Sequence, residues 1–303
     1  LVTLAEGANV TVTAGAEMLL AGSIAGAGTM EFAGGNQRYD GLMYGRPKLA
    51  DGGDNPDYQA KYSVFDKTST FELISLTNPL SYLAGHTGGY GLWMSGDMVS
   101  LSARPVVLSA AQDVIVTGFV TATTAGADVT LHSDEFLYVD GQVTADAGIT
   151  LYGGLTRTGE VRTGATADAR GSSVYLDNSG ALQTNAAGSF IRAKGGQDVD
   201  IFGTLIAGGY ADATGVHFAL DAQGNGGSSV TLEALQQLVI GKGILTSGDI
   251  TVTGGVAGAD DHWDGEQMYS ALASDFENPL SLYINSAGGL TGAGLGANGV
   301  GSV

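Results

Sequence analysis

The sequence predicts an all-β fold, a right-handed parallel β-helix (β-solenoid) with one aromatic-rich insertion. Three observations predict it. Short runs of Val, Ile and Leu alternate with Thr and other polar residues at the two-residue period of a strand. Glycine numbers 50 and proline only 5 in 303 residues, and the glycines fall between the runs without the period of collagen. The runs recur at roughly 20–25 residues, the spacing of a stacked-repeat architecture. Hydrophobic residues make up 44% of the chain and the mean hydropathy is +0.14, so apolar surface suffices for a packed core.

Residues 1–35 read as the first solenoid coils. Val10-Thr11-Val12 is followed by Met18-Leu19-Leu20, Gly22 and Ile24. Residues 36–95 break the rhythm and read as a folded insertion. They hold six of the twelve tyrosines, Trp93, three of the five prolines and five of the twelve basic residues. Residues 96–256 return to coils, most clearly over 113–152, where "strand, Gly, short strand, polar turn, strand" occurs twice. Gly118 to Gly141 and Val120 to Val143 are each 23 residues apart, and Val129 to Ile149 is 20. Val199–Phe202 with Leu205-Ile206, and Leu238–Ile240 with Ile244-Leu245 and Ile250–Val252, repeat the unit. Residues 257–281 form a second, short insertion with Trp263, Tyr269 and Phe276. Within it 266–276 has a weak helical pattern, with Asp264 as N-cap. Residues 282–303 read as a further coil or a glycine-rich end.

Each coil alone leaves its inward face exposed. Stacking at about 4.8 Å closes a continuous apolar column, with Gly, Asn and Asp at the corners. About ten coils would make a rod on the order of 50 Å long. Asn78-Pro79-Leu80-Ser81 recurs as Asn278-Pro279-Leu280-Ser281, each followed closely by a tyrosine, which suggests a super-repeat of about 200 residues.

The formal charge of −19 argues against binding to nucleic acid. The absence of cysteine removes thiol catalysis, iron–sulfur clusters and thiolate zinc sites. No apolar run reaches the ~20 residues of a membrane helix, so no membrane insertion is expected. No signal peptide is evident, and the chain reads as a mature product or a piece of something longer.

Two acidic loops carry metal-ligand chemistry. Asp51, Asp54 and Asp57 lie with Asn55 within seven residues, and Asp260, Asp261 and Asp264 lie beside Glu266. Either loop could supply about half the oxygen shell of Ca²⁺; the reading set against it is a solvated turn with no cofactor. Asp260-Asp261, with His262 beside them, and Asp198 with Asp200 offer the paired carboxylates that glycan-cleaving β-helices use, against the plain reading of a wet strand face. The histidines (His86, His132, His217, His262) lack zinc spacing, no Ser sits in G-x-S-x-G, and Gly294–Gly299 matches a dinucleotide fingerprint as text only. Asn9-Val10-Thr11 is a glycosylation sequon by pattern alone. Tyr39, Tyr44, Tyr58, Tyr62, Tyr82, Tyr90 and Trp93, with Phe65, form the sharpest lead: either a surface for self-association or sugar stacking, or the insertion's own small core.

Strings such as DVIVTGFVTATTAGADVTLHS and GDITVTGGVAG resemble the repeats of filamentous-haemagglutinin-like exoproteins and other giant bacterial surface adhesins. The resemblance covers 97–255 well and 1–30 fairly, and it rests on composition and rhythm. It implies a β-helix shaft, a place at the cell surface, and a role in adhesion, cell–cell contact or matrix assembly. The reading is therefore an extracellular structural protein, not an enzyme, that associates with itself or with neighbouring repeats. The alternatives are a glycan-binding adhesin module using the aromatic insertion, or a β-helix polysaccharide lyase or hydrolase.

Overall fold

The computed structural model describes residues 2–3, 7–15, 18–35, 90–111, 113–134, 136–156, 159, 172–196, 198–235, 238–254, 282–284 and 290–292. Their regular structure is all β, with no helix among them and hence none long and apolar enough to cross a membrane.

Among the described residues, three long sheets and one hairpin account for every strand. Sheet A contains β1 (Val2–Thr3), β4 (Ser23–Gly26), β7 (Asp97–Ser100), β10 (Phe119–Ala122), β13 (Gln142–Ala145), β16 (Ala181–Thr184), β19 (Thr204–Ala207), β24 (Ile244–Thr246) and β27 (Leu290–Gly292), in that order. Sheet B contains β2 (Val10–Thr13), β5 (Met30–Gly34), β8 (Val106–Ala110), β11 (Asp128–Ser133), β14 (Gly148–Gly153), β17 (Phe190–Gly195), β22 (Ser229–Ala234) and β25 (Ile250–Thr253). Sheet C contains β3 (Met18–Leu20), β6 (Tyr90–Met94), β9 (Asp113–Val116), β12 (Leu137–Val139), β15 (Ser172–Leu176), β18 (Asp198–Ile201), β23 (Leu238–Ile240) and β26 (Leu282–Ile284). The hairpin pairs β20 (Gly209–Asp212) with β21 (Gly215–Phe218).

All pairing within the three sheets is parallel. From β2 onward the chain visits B, then C, then A, and begins again; only the hairpin interrupts the cycle. Neighbours in a sheet are thus separated by one full cycle. The spacings legible in the sequence are the registers of the structure: Val120 pairs with Val143 and Val129 with Ile149. Each sheet has eight or nine strands among the described residues, against about ten coils expected.

Side-chain alternation directs one residue in two inward. Val114 and Val116 of β9, Val120 and Ala122 of β10, and Val129 and Leu131 of β11 all enter one hydrophobic cluster to which the three sheets contribute. The same positions in the next strands, Leu137 and Val139, Val143 and Ala145, Ile149 and Leu151, extend it along the stack. Val, Ile and Leu suit these sites because branched side chains pack well on a pleated face, and each fully buried one contributes roughly 1.5–3 kcal/mol.

The turn from sheet C to sheet A depends on glycine. Gly118 and Gly141 stack one above the other there, and a Cβ on Gly141 would overlap the carbonyl oxygen of Gly118. Both N–H groups at each turn are satisfied from the preceding strand, as Asp140 and Gly141 both donate to the carbonyl of Val116. The close backbone approach that makes these bonds leaves no room for a side chain. At the opposite turn, from A to B, buried hydroxyls replace apolar groups. Thr184 Oγ1 lies 2.7 Å from Ser189 Oγ and accepts from the Gly208 N–H at 3.0 Å, while Thr246 Oγ1 donates to the Ser228 carbonyl at 2.8 Å. Paired in this way, they do not carry the penalty of unpartnered buried polar groups.

Longer connections interrupt the cycle at preferred places. Residues 36–89, 154–171 and 255–281 each link a strand of sheet B to the next strand of sheet C. The expected insertion at 36–95 therefore contains strand β6 at its end, and its residues 36–89 lie outside the described residues. The expected insertion at 257–281 lies outside them entirely, as does the weak helix at 266–276. Within 282–303, β26 and β27 add to sheets C and A.

Candidate functional site

The outward side of sheet C is unlike the other faces. Inward residues of its strands belong to the core, so the residue between them points away: Trp93, Ile115, Tyr138, Tyr175, Asp200 and Val239. The register places these six in one ladder across the sheet. An outward ladder on a wet surface would be polar; this one is largely aromatic and aliphatic, and every member is buried although none belongs to the core cluster.

Ring geometry fixes its centre. Tyr138 and Tyr175 stack with centroids 5.6 Å apart and planes 6° apart. Phe202 tilts against Tyr175 at 5.7 Å, and Phe136 against Tyr138 at 6.4 Å. Such offset contacts add about 0.5–1.5 kcal/mol per pair beyond the area buried. The Tyr138 hydroxyl donates to Asp177 Oδ2 at 2.6 Å. Asp177 also accepts from the Asn178 N–H, and Asp140 accepts from the Ser179 hydroxyl. Burial first, and then the bond to Asp177, push the phenol far above its ordinary value, so Tyr138 remains a donor. Burial raises Asp140 too, the Ser179 bond opposes this, and the charge of Asp177 adds to the rise. The cluster is thus two carboxylates held by one phenol, one hydroxyl and one backbone N–H.

The rise at Asp140 has a testable sign. Asp140 has a folded-state value above its ordinary 3.8, so the folded chain binds its proton more tightly than the unfolded chain does. Its contribution favours folding at pH below about 3.8 and is lost as pH rises through the folded value. Asp140→Asn is expected to melt higher than the parent at pH 7. The gap should narrow as the pH falls through the raised folded value toward about 3.8 and stay closed below it. Melting curves over this range check the sign, and a gap that widens toward acid pH would contradict it.

Of the residues singled out in the sequence, Trp93 and Tyr90 fall in β6, and Asp198 and Asp200 in β18. Trp93 sits in the outward ladder only 3% exposed, with Nε1–H donating to Thr117 Oγ1 at 3.0 Å, so its ring is not offered to solvent as a sugar platform. Asp200 occupies the ladder between Tyr175 and Val239 and is buried, while Asp198 is half-buried at the start of the strand. Tyr39, Tyr44, Tyr58, Tyr62, Tyr82 and the carboxylates Asp51, Asp54, Asp57, Asp260, Asp261 and Asp264 lie outside the described residues. Among the described residues, no three His, Asp or Glu side chains gather as a metal site requires.

One feature escapes the repeat rhythm altogether. After β19 the chain leaves the sheets as the hairpin of β20 and β21. Tyr210 and His217 stack across it at 4.8 Å, with Tyr210 49% exposed. Asp212 Oδ1 accepts from the Thr214 N–H at 2.7 Å and its hydroxyl at 2.6 Å, and lies 3.1 Å from His217 Nε2. These bonds, led by the Thr214 hydroxyl, hold Asp212 down at about 2. The following loop is tied by Asp221, which accepts from the N–H groups of Gln223 and Asn225. The signal was present as two short runs, Gly209–Asp212 and Gly215–Phe218, around Ala213-Thr214, but it does not share the period of the other strands.

No family model, curated protein or solved structure matches the chain. The class these observations define is an all-β protein built on long parallel sheets.

Proposed function

We propose that the chain is a stretch of right-handed parallel β-solenoid serving as an extracellular structural shaft, a repeat of a giant surface exoprotein or of a self-assembling filament. The observation that carries this reading is the cyclic order B, C, A, in which each cycle adds one strand to every sheet and one layer to a single apolar cluster. A right-handed path is the hand that parallel crossover connections strongly favour. A solenoid of this kind is quasi-one-dimensional, and its stability comes from nearest-neighbour layers, which suits a rod that must be long and stiff. The carboxylates around Tyr138 support a structural role over a catalytic one, because their oxygens accept bonds from the chain itself. The acidic, cysteine-free composition fits a large domain that needs no disulfide, and the extracellular setting follows from the resemblance of its repeats to surface exoproteins.

A disulfide between layers tests the stacking. Eight stacked layers give a shaft on the order of 38 Å long, with register partners of adjacent layers about 4.8 Å apart, within disulfide reach. Thr130→Cys combined with Thr150→Cys, register partners on sheet B, is expected to form an intramolecular disulfide in this otherwise cysteine-free chain. A double variant that does not cross-link under oxidation would exclude the layered shaft.

A further inference from the structure

The outer face of sheet A carries an inference that rests on the shaft reading and deepens it by naming a partner. The inward residues of β7, β10, β13 and β16, such as Met98, Val120, Val143 and Leu182, belong to the core. Alternation therefore turns Val99, Phe119, Thr121, Gln142, Thr144 and Gln183 outward. Parallel register sets Phe119 between Asp97 and Gln142, and Thr121 between Val99 and Thr144. Across the outward positions from β4 to β24, Asp97 is the single charged side chain. Sheet B differs: its outward positions include Glu31, Arg192, Lys194 and Glu233, the last two paired at 2.9 Å. Phe119 is 54% exposed near the middle of the sheet A face, with Leu101 exposed just past the end of β7.

We infer that this face is where a second copy of the chain lies, side against side, so that shafts pair laterally. Charge and area both favour this face. Two molecules of net charge −19 repel each other, and repulsion is smallest where carboxylates are fewest. Outward Val, Thr, Phe and Gln side chains on a sheet lose little on desolvation if their hydroxyls and amides bond across the seam or to one another, as Gln183 Nε2 already does to Asn185 Oδ1 at 2.8 Å. Seven strands at about 4.8 Å and four residues at about 3.3 Å give a face of roughly 450 Å², hence about 900 Å² for a pair. That falls just short of what a stable dimer needs, so pairing is reversible for one segment and strengthens when several segments are linked.

Analytical ultracentrifugation of the full chain from low micromolar to near-millimolar concentration tests this. The parent is expected to shift from monomer to dimer. Phe119→Glu, which places a carboxylate in the middle of the face, should weaken the dimer about 100-fold, and Thr121→Glu should do the same. Thr150→Glu, at an outward position of sheet B, adds the same charge elsewhere and should leave the association constant within about threefold of the parent. A parent that stays monomeric throughout, or equal effects from the sheet A and sheet B variants, overturns the inference. Circular dichroism melting of each variant separates loss of pairing from loss of folding; if Phe119→Glu does not fold, Thr121→Glu decides. The Thr130→Cys/Thr150→Cys disulfide keeps the two readings apart: chains that cross-link within themselves but never pair overturn the pairing alone, whereas chains that do not cross-link overturn the shaft.

Discussion

Gly141→Ala is expected to destabilise the chain by about 2–4 kcal/mol, a large effect for adding one methyl group. The new Cβ would overlap the carbonyl oxygen of Gly118, which is backbone and has no rotamer to escape into. That carbonyl accepts the Gln142 N–H at 3.1 Å, so moving it strains the ladder bond that starts β13. Chemical denaturation read by circular dichroism measures the loss. Gly126→Ala serves as contrast: its φ of +83° carries a backbone penalty of about 1–2 kcal/mol, yet an added Cβ would meet only Ala103 at 4.0 Å. A Gly141→Ala chain as stable as the parent would mean that the layers do not approach as closely at this corner as the structure has them.

Leu131→Ala is expected to cost about 3–5 kcal/mol. Leu131 is fully buried, packed in sheet B between Leu108 and Leu151, and its removal leaves a cavity bounded on both sides by layers held by backbone hydrogen bonds. Those layers cannot collapse along the stack, because the inter-strand spacing is fixed at about 4.8 Å. Thr130→Ala, the neighbouring outward position, should change stability by less than about 0.5 kcal/mol. The spatial pattern of the loss is as informative as its size. In a stacked architecture the damage spreads to nearest neighbours, so amide exchange should quicken first in β8, β11 and β14 and least in β22. Uniform acceleration across all strands would indicate one global cooperative unit instead.

Much of the strand plan was legible. The apolar runs Val114–Val116, Val129–Leu131 and Ile149–Leu151 marked strands, and in the last two a Thr between apolar neighbours shows the two-residue period of a half-buried strand. The 23-residue and 20-residue separations were already the strand register, since each cycle of the chain returns to the same sheet. The outward ladder of sheet C was much less legible. Tyr138 and Tyr175 are 37 residues apart, with an irregular connection between them, so their stacking depends on where the chain re-enters the sheet. Trp93 was read with the aromatic residues upstream of it, whereas its strand pairs with Met18–Leu20 on one side and β9 on the other. The hairpin at 209–218 has its own short-range antiparallel register, which a search for one long period passes over.

Local chemistry alone determined that this chain makes short strands, turns at glycines and fills its interior largely with Val, Ile and Leu, because strand period and turn preference act over a few residues. The tertiary structure decided which outward residues share a face: the buried aromatic ladder and its carboxylates on sheet C, the charged rows of sheet B, and the nearly uncharged row of sheet A. That partition follows from adding one strand to each sheet per cycle, which aligns residues 20 or more positions apart at about 4.8 Å, a distance that no local pattern encodes.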